Sequence, residues 1–485
     1  MTELLAERIV RQAARNPAAT AVVAVGEQAT YGAFLERVTR TAAGLRGAHR
    51  VAVLPTSDIG SLVTVAAAMY AGVGVVLLHR HLLPRQLDRV LTLSRPAQVC
   101  AAAGHHRLLR RLGWTGTIRT AAELEADGPC GRAAPGSELL VGITSGTTGE
   151  PKLFVRDQRS WAATLDRSDT TFDIDAGDRV STPGVLDHTH FLYGALHALT
   201  RGATVDLRPV TTALADGPTH LYSVPAIAWD VVRSGVGPVG SVREVLSSAA
   251  RWPRPGRAAL RKVLPNAAIT HFYGASELSF VSFDRGLGAT DDSAAGELFD
   301  GVEVEIRDGL VHVRSEMLFT GYLTEDGVVD GPVDGWFSVG DRGASVGNRL
   351  RLFGRDGDML IRGGLNVEPA AVEAALTAIP GVTEAACVGL ADARWGQVPV
   401  AAVVVTGAAP GPEEIRRRLR AVLPAPSMPD RVRVVDRLPR TPRGKVDRAA
   451  LTALFDRPRA GRGSGGARPR WVRHPPGNAE PQCDR

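Results

Sequence analysis

The sequence predicts an α/β fold: a large N-terminal domain of parallel-sheet α/β units with a small β-rich subdomain, followed by a small α+β C-terminal domain. Three observations predict it. As far as about residue 296, short β-branched runs alternate with Ala/Leu/Arg-rich helical stretches, the pattern of parallel sheets flanked by helices. Beyond that point closely spaced strands are separated by Gly-rich turns, which reads as antiparallel hairpins. After Gly354-Arg355 a compact stretch carries strands and a helix of its own, and 485 residues are enough for more than one domain.

The strands are expected at Thr20–Val25, Val51–Leu54, Val75–Leu78, Leu139–Ile143, Thr204–Leu207 and Ala268–Phe272. Ser61 to Leu78 is eighteen residues without a charge, long enough to be a membrane-span candidate. Gly72 and Gly74 divide it, however, into an Ala-rich helix capped near Ser57 or Asp58 and a short buried strand. No membrane span is expected. Gly296–Leu298, Val302–Arg307 and Leu310–Arg314 supply the hairpins, and the C-terminal domain has strands Ala385–Leu390 and Val400–Val405 and a helix from Pro412 to Val422. The expected domains are residues 1–353 and 354–455. The remainder, 456–485, is rich in Gly, Pro and Arg, lacks periodicity and reads as a disordered tail.

Composition excludes several classes. The net charge of +6 comes largely from arginines of the tail, and no basic stripe is interleaved with aromatic residues, so no nucleic-acid partner is expected. Cys100, Cys130, Cys387 and Cys483 lie far apart without metal-type spacing, which points to a reduced, cytoplasmic compartment and no zinc site. Glu3 and Glu7 argue against reading the first helix as a transit peptide.

The chemistry is concentrated around two lysines. Of 57 basic residues only three are lysine, and in such an arginine-rich chain a retained lysine marks a need for a compact, flexible ammonium. Lys262 has no motif around it, but Lys152 closes Thr144-Ser145-Gly146-Thr147-Thr148-Gly149-Glu150-Pro151-Lys152 and Lys445 closes Pro439-Arg440-Thr441-Pro442-Arg443-Gly444-Lys445. The first run offers hydroxyls and backbone amides that can wrap phosphate oxygens. It is not a Walker A loop, in which the lysine directly follows glycine. Two such lysines far apart in sequence suggest one polyphosphate substrate gripped from two domains.

Further motifs follow in order: His271-Phe272-Tyr273-Gly274-Ala275-Ser276-Glu277, then Gly335-Trp336-Phe337-Ser338-Val339-Gly340-Asp341, then Gly354-Arg355-Asp356-Gly357-Asp358 with Ile361 to Pro369. Together with the two lysine motifs they resemble the adenylate-forming superfamily, which includes acyl-CoA synthetases, adenylation domains and beetle luciferases. The resemblance runs from about residue 10 to residue 455.

That resemblance implies roles. Thr144, Ser145, Gly146, Thr147, Thr148, Gly149 and Lys152 match the loop that holds the β- and γ-phosphates of ATP. Tyr273 and Gly274 match the adenine site, Tyr273 offering a flat stacking face. Ser276 matches a contact to the α-phosphate or acyl carbonyl, and Glu277 the carboxylate that helps hold Mg²⁺. Asp341 matches the ribose ligand and Arg355 the junction arginine. Lys445 matches the catalytic lysine of a mobile lid, here residues 354–455. His188 resembles the family's aromatic-or-His element at the carboxylate pocket, with His190 an immediate rival and a structural histidine as good a reading of either. Ser247, Ser248 and Ala249 match a turn lining the adenine and acyl pocket, and Val224-Pro225 a pocket wall.

Two positions depart from the family pattern. Val339 stands where a threonine is usual, leaving Ser338 to supply any hydroxyl, and the hinge position is Gly357 rather than Asp or Lys. The implied reaction is MgATP-dependent activation of a carboxylic acid, with coenzyme A as the expected acceptor. A carrier protein, an amine or nitrite is the alternative acceptor. Because Val224–Ala228 holds no charge and Phe191-Leu192-Tyr193 is apolar, the expected acid is an uncharged fatty or aryl acid.

Overall fold

The computed structural model of the chain describes residues 3–80, 82–145, 151–249, 252, 254–286, 294–355, 360–362, 365–392, 396–407, 410, 412–423, 425–441, 444–456 and 471–473. Among these residues, three sheets organise the fold.

The first sheet has a parallel block, in which Thr20–Ala24, Thr204–Asp206, Arg179–Ser181, His220–Ser223, Glu244–Ser247 and Ala268–Ala275 are neighbours in that order. The second has a parallel block of Ile118–Arg119, Val99–Ala101, Arg50–Leu54, Gly74–Leu77 and Glu138–Ser145. The helix Ile59–Ala71 has ten of its thirteen residues buried, which explains why it reads as apolar on every side. Asp58 caps it, its carboxylate accepting the Ser61 amide at 2.6 Å, and Gly72 ends it in a left-handed conformation. The buried strand Gly74–Leu77 follows at once. The long uncharged run is thus a core helix and a core strand, and among the described residues no helix is long and apolar enough to cross a membrane.

The β-rich stretch after residue 294 is present, but it forms no sheet of its own. Ala294–Leu298, Arg349–Arg355, Asp341–Val346, Leu310–Arg314 and Glu303–Arg307 extend the first sheet antiparallel, beyond Ser279–Arg285. Gly321–Thr324 and Gly327–Val329 instead extend the second. Short local spacing predicts hairpins well, yet which larger sheet they join depends on partners distant in sequence.

The strand expected before the Thr/Gly-rich run is present as Glu138–Ser145, and it pairs antiparallel with Pro151–Asp157, Thr144 opposite Lys152 and Gly142 opposite Phe154. At Gly142 a Cβ would stand 2.1 Å from the Phe154 ring, so only glycine leaves room for it. The base of this hairpin is anchored by Arg50, which donates to both Glu138 carboxylate oxygens at 2.6 and 2.7 Å.

The third sheet belongs to the C-terminal domain, with Val382–Asp392 and Gly396–Val405 as its long central hairpin. Helix Pro412–Val422 falls where the sequence places it. Part of the expected tail is not separate from this sheet: Trp471–Arg473 pairs antiparallel with Arg431–Val434. The rest of the tail lies outside the described residues.

Leu62 is fully buried in the helix that lies in the core of the large domain. Leu62→Ala should therefore cost about 2–5 kcal/mol of stability, by lost burial and a residual cavity. Denaturant or thermal unfolding of the two proteins checks this.

Candidate active site

In α/β sheets ligands gather beyond the carboxyl ends of the strands, and here two parallel blocks contribute those ends to one cavity. It has a volume of about 740 Å³ and is reached by Leu77, Thr144, Gly184, Val224, Ser248, Ala249, Gly274 and Ala275, all at or just past a strand's last residues. Ser276 and His188 also line it, and so does Lys445 of the C-terminal domain, beside Thr441 and Gly444. Residues far apart in the chain thus share one space, among them Thr144, His188, Gly274, Ser276 and Lys445.

Gly274 cannot be another residue in this backbone, since a Cβ there would stand 2.0 Å from the Ser279 carbonyl oxygen. The strand Ala268–Ala275 runs three residues beyond the expected end and carries Tyr273 within it. The Tyr273 hydroxyl donates to Asp341 Oδ2 at 2.5 Å, so the stacking candidate and the ribose candidate form a pair. Asp341 stands directly opposite Arg355 in the antiparallel ladder.

Glu277 is buried, and the Tyr322 hydroxyl donates to its Oε1 at 3.0 Å. The ring of Tyr322 also faces Lys152, whose Nζ lies 5.0 Å from the ring centre, a cation–π distance. Tyr322 thereby joins the two groups expected to handle phosphate and metal. Sequence reasoning missed it. Gly321-Tyr322 has no local chemistry to mark it, and its role depends on pairing with Phe154 across the second sheet.

Of the remaining candidates, Gly146, Thr147, Thr148 and Gly149 lie outside the described residues, as do the hinge candidate Gly357 and the lid glycines Gly363 and Gly364. Ser145 and Arg355 are placed by their backbone pairing alone. Ser338 accepts the Gly340 amide at 3.2 Å, so its hydroxyl stabilises its own turn.

The two histidines separate clearly. His190 donates from Nε2 to the Ser223 carbonyl at 2.8 Å and packs against Phe191, Tyr222 and Phe272, with ring centres 5.2 to 5.5 Å away. Burial pushes its pKa down to about 4, so it is neutral at pH 7. His188 caps helix Thr189–Arg201, its Nδ1 accepting the His190 amide at 3.3 Å, and is only half-buried in the cavity wall. Both histidines line the cavity, but the His190 ring is committed to the Ser223 carbonyl and its aromatic neighbours.

The cavity wall is largely aromatic, with Phe191, Tyr193, Phe272 and Phe280, and charge enters it from other segments, through Arg80 and Asp187 among others. Arg156 and Trp161 also line it, and Arg156 is only 4% exposed. The pocket segments inspected in the sequence did not include the strand that carries Arg156.

Lys445 of the C-terminal domain, the strand end at Thr144 and the segment Gly274–Ser276 thus meet at one cavity between the two domains, and comparison with known proteins shows the family. The model of the AMP-binding enzyme family matches residues 9–323, and that of the AMP-binding enzyme C-terminal domain matches residues 371–445. The chain belongs to the AMP-binding enzymes, the adenylate-forming superfamily, as an acyl-CoA synthetase-like, AMP-forming ligase. It is 31% identical to an uncharacterized acyl-CoA ligase, YhfT, of Bacillus subtilis, over 90% of this chain and 95% of that protein. A feruloyl-CoA synthase of Amycolatopsis is 29% identical, over 92% and 98%. Among solved structures, the amide bond synthetase McbA from Marinactinospora thermotolerans is 26% identical with a TM-score of 0.81, covering 93% of this chain and 99% of that one. ATP-bound MatB from Rhodopseudomonas palustris shares the fold, with a TM-score of 0.83 at 23% identity over 94% and 99%.

The buried neutral His190 gives a pH signature. Its folded pKa lies below the usual histidine value of 6.5, so on acidification the unfolded chain takes up the proton first. Stability should fall as pH drops from about 6.5 towards 4, each pKa unit being worth about 1.4 kcal/mol. His190→Gln should lower stability at pH 7 and flatten this slope, read from melting temperature against pH.

Proposed function

We propose that the chain is an ATP-dependent carboxylic acid–CoA ligase that forms an acyl-adenylate with release of pyrophosphate and then an acyl-CoA thioester. The observation that carries this reading is the convergence of Lys445, from the C-terminal domain, with Thr144 and Ser276 on one cavity. A carboxylate oxygen attacks the α-phosphorus of ATP while the bond to pyrophosphate breaks, and negative charge grows on the α-phosphoryl oxygens. Lys445 is assigned to that charge, and Ser276 to the α-phosphate or the acyl carbonyl. The run Thr144–Lys152 is assigned to the β- and γ-phosphates, Tyr273 and Gly274 to adenine, and Asp341 with Arg355 to the ribose. His188 is assigned to the acid's carboxylate. A thiolate then attacks the acyl carbonyl and AMP departs.

Magnesium fits the donors present. Glu277 is a buried hard-oxygen donor, and among the described residues no group of three or more His, Cys, Asp or Glu could cage a metal alone. Mg²⁺ is commonly held by one or two carboxylates together with substrate phosphates, and when bound it would neutralise phosphate charge. Glu277 would hold it, with Tyr322 fixing the carboxylate.

The lid is taken as residues 354–455, and the chain as cytoplasmic, in keeping with free Cys100, Cys130 and Cys387. The apolar, aromatic cavity supports a fatty or aryl acid held mainly by burial, at roughly 0.8 kcal/mol per methylene. Coenzyme A is favoured as acceptor by the relatives named for acyl-CoA ligase and feruloyl-CoA synthase activity. Similarity to an amide bond synthetase supports a second reading in which an amine takes the acyl group. Supplying the enzyme with ATP, a panel of acids, and either coenzyme A or amines separates the two by product.

Lys445→Ala should lower acyl-adenylate formation by about 100- to 1000-fold, the usual effect of losing one preorganised electrostatic contact, while ATP affinity changes little. Pyrophosphate release measures the first and equilibrium binding the second. Thioester formation from supplied acyl-adenylate should be spared, and near-normal adenylation by the variant would overturn the assignment.

A further inference from the structure

Arg156 is a charged side chain of the cavity wall that stands apart from the groups assigned to nucleotide. It lies on the strand Pro151–Asp157, where side chains alternate, so Lys152, Phe154 and Arg156 share a face. At about 3.4 Å per residue, Arg156 sits about 14 Å along the strand from Lys152, well away from the phosphate end.

The guanidinium is held but not neutralised. Its Nε donates to Ser160 Oγ at 3.1 Å, and its Nη2 donates to the Ser160 carbonyl and to Thr164 Oγ1, each at 3.1 Å. Thr164 Oγ1 in turn lies 2.9 Å from Ser279 Oγ, and both residues line the cavity. Among the described residues no carboxylate reaches ion-pairing distance of Arg156. Asp157 accepts the Ser160 amide at the start of the next helix, and Glu277 is engaged by Tyr322. Burial lowers the Arg156 pKa to about 10, which leaves it protonated at neutral pH. Beside it, at 5.7 Å from the guanidinium carbon, is the ring of Trp161, whose buried Nε1 has no hydrogen-bond partner among the described residues.

Buried charges are normally paired, and buried N–H groups normally find an acceptor. This corner of the cavity therefore presents a full positive charge and a spare indole donor beside two hydroxyls, with no anion of its own. A neutral hydrocarbon end would leave both donors unanswered. A carboxylate answers both, because a guanidinium and an indole N–H only donate and a carboxylate only accepts.

We propose that Arg156, held in place by Ser160 and by Thr164, whose own hydroxyl donates to the Ser160 carbonyl at 2.9 Å, forms with Trp161 Nε1 a specificity site for a second carboxylate at the far end of the acid. The preferred substrates are then aliphatic or aryl dicarboxylic acids activated at one end only. This inference rests on the acid-ligase reading and names its substrate class. The apolar stretch of cavity wall holds the middle of such an acid, and Lys445 and His188 face the carboxylate that reacts.

The test compares a length series of aliphatic and aryl diacids with their matched half-esters, which keep one carboxylate and nearly the same shape. Pyrophosphate release should show kcat/KM at least about 100-fold higher for the best diacid than for its half-ester, the scale expected for one buried charge pair. Arg156→Met should collapse that ratio mainly by raising KM for the diacid, while turnover of the half-ester holds or improves. Thr164→Val should lower the same ratio more modestly, and it serves in place of Arg156→Met if that variant fails to fold. A wild-type preference for half-esters or simple monoacids would overturn the assignment while leaving the ligase reading intact, and so would an unchanged ratio in a folded variant. Absence of pyrophosphate release with every acid would instead overturn the ligase reading.

Discussion

The hairpin made by Glu138–Ser145 and Pro151–Asp157 is the constraint on which the site depends. It closes the second parallel block on one side and receives Gly321–Thr324 on the other, so it is locked from both edges. Strand alternation then does the rest. The even-numbered residues Lys152, Phe154 and Arg156 share one face, with Phe154 and Arg156 in the cavity wall, while Leu153 and Val155 pack into the apolar cluster behind. A one-residue slip would exchange the two sets and put two cations into a hydrocarbon core. Burial of Leu153 to Arg156 and the bidentate Arg50–Glu138 pair at its base hold it against such a slip.

Electrostatic order in the site follows from how each charge is shared. Among the described residues Glu277 is fixed by a phenol and paired with no cation. Lys152 rests on the face of that same tyrosine, so one aromatic side chain sets the spacing between a carboxylate and an ammonium. Asp341 is likewise held by the Tyr273 hydroxyl. Tyrosine suits this work because its ring packs while its hydroxyl orients a neighbour without changing the net charge.

The two domains are joined at the cavity by more than Lys445. Glu384, buried on the central strand of the C-terminal domain, pairs with Arg440 of its own domain and lies 3.5 Å from Arg233 of the large domain. Gly444 approaches Ala226 so closely that a Cβ would come within 3.5 Å of it. These contacts place the Lys445 turn against the cavity wall. Arg233 is half exposed, so its contact with Glu384 is weakly held.

The sequence by itself determined the local elements and the reaction class. Asp58 before an apolar helix, Gly72 after it, and β-branched runs at regular intervals are local signals that need no partner to be read. The motifs around Lys152, Tyr273, Asp341 and Lys445 are short segments in a fixed order, and the family they pointed to is the one the chain belongs to. Tertiary structure alone decided the rest, because it depends on strands that meet from distant parts of the chain. The β-rich stretch divided between two sheets, and the strand before the phosphate-type run became one arm of a hairpin. His190 became tied to the Ser223 carbonyl while His188 capped a helix, and both reached the cavity wall. Tyr322 and Arg156 lie in segments with no motif, one on a strand that pairs with the other's, and both reach the site through pairing and alternation. A pocket wall assembled from many separate segments has no linear code, so the charge in it became visible only when those segments were brought together.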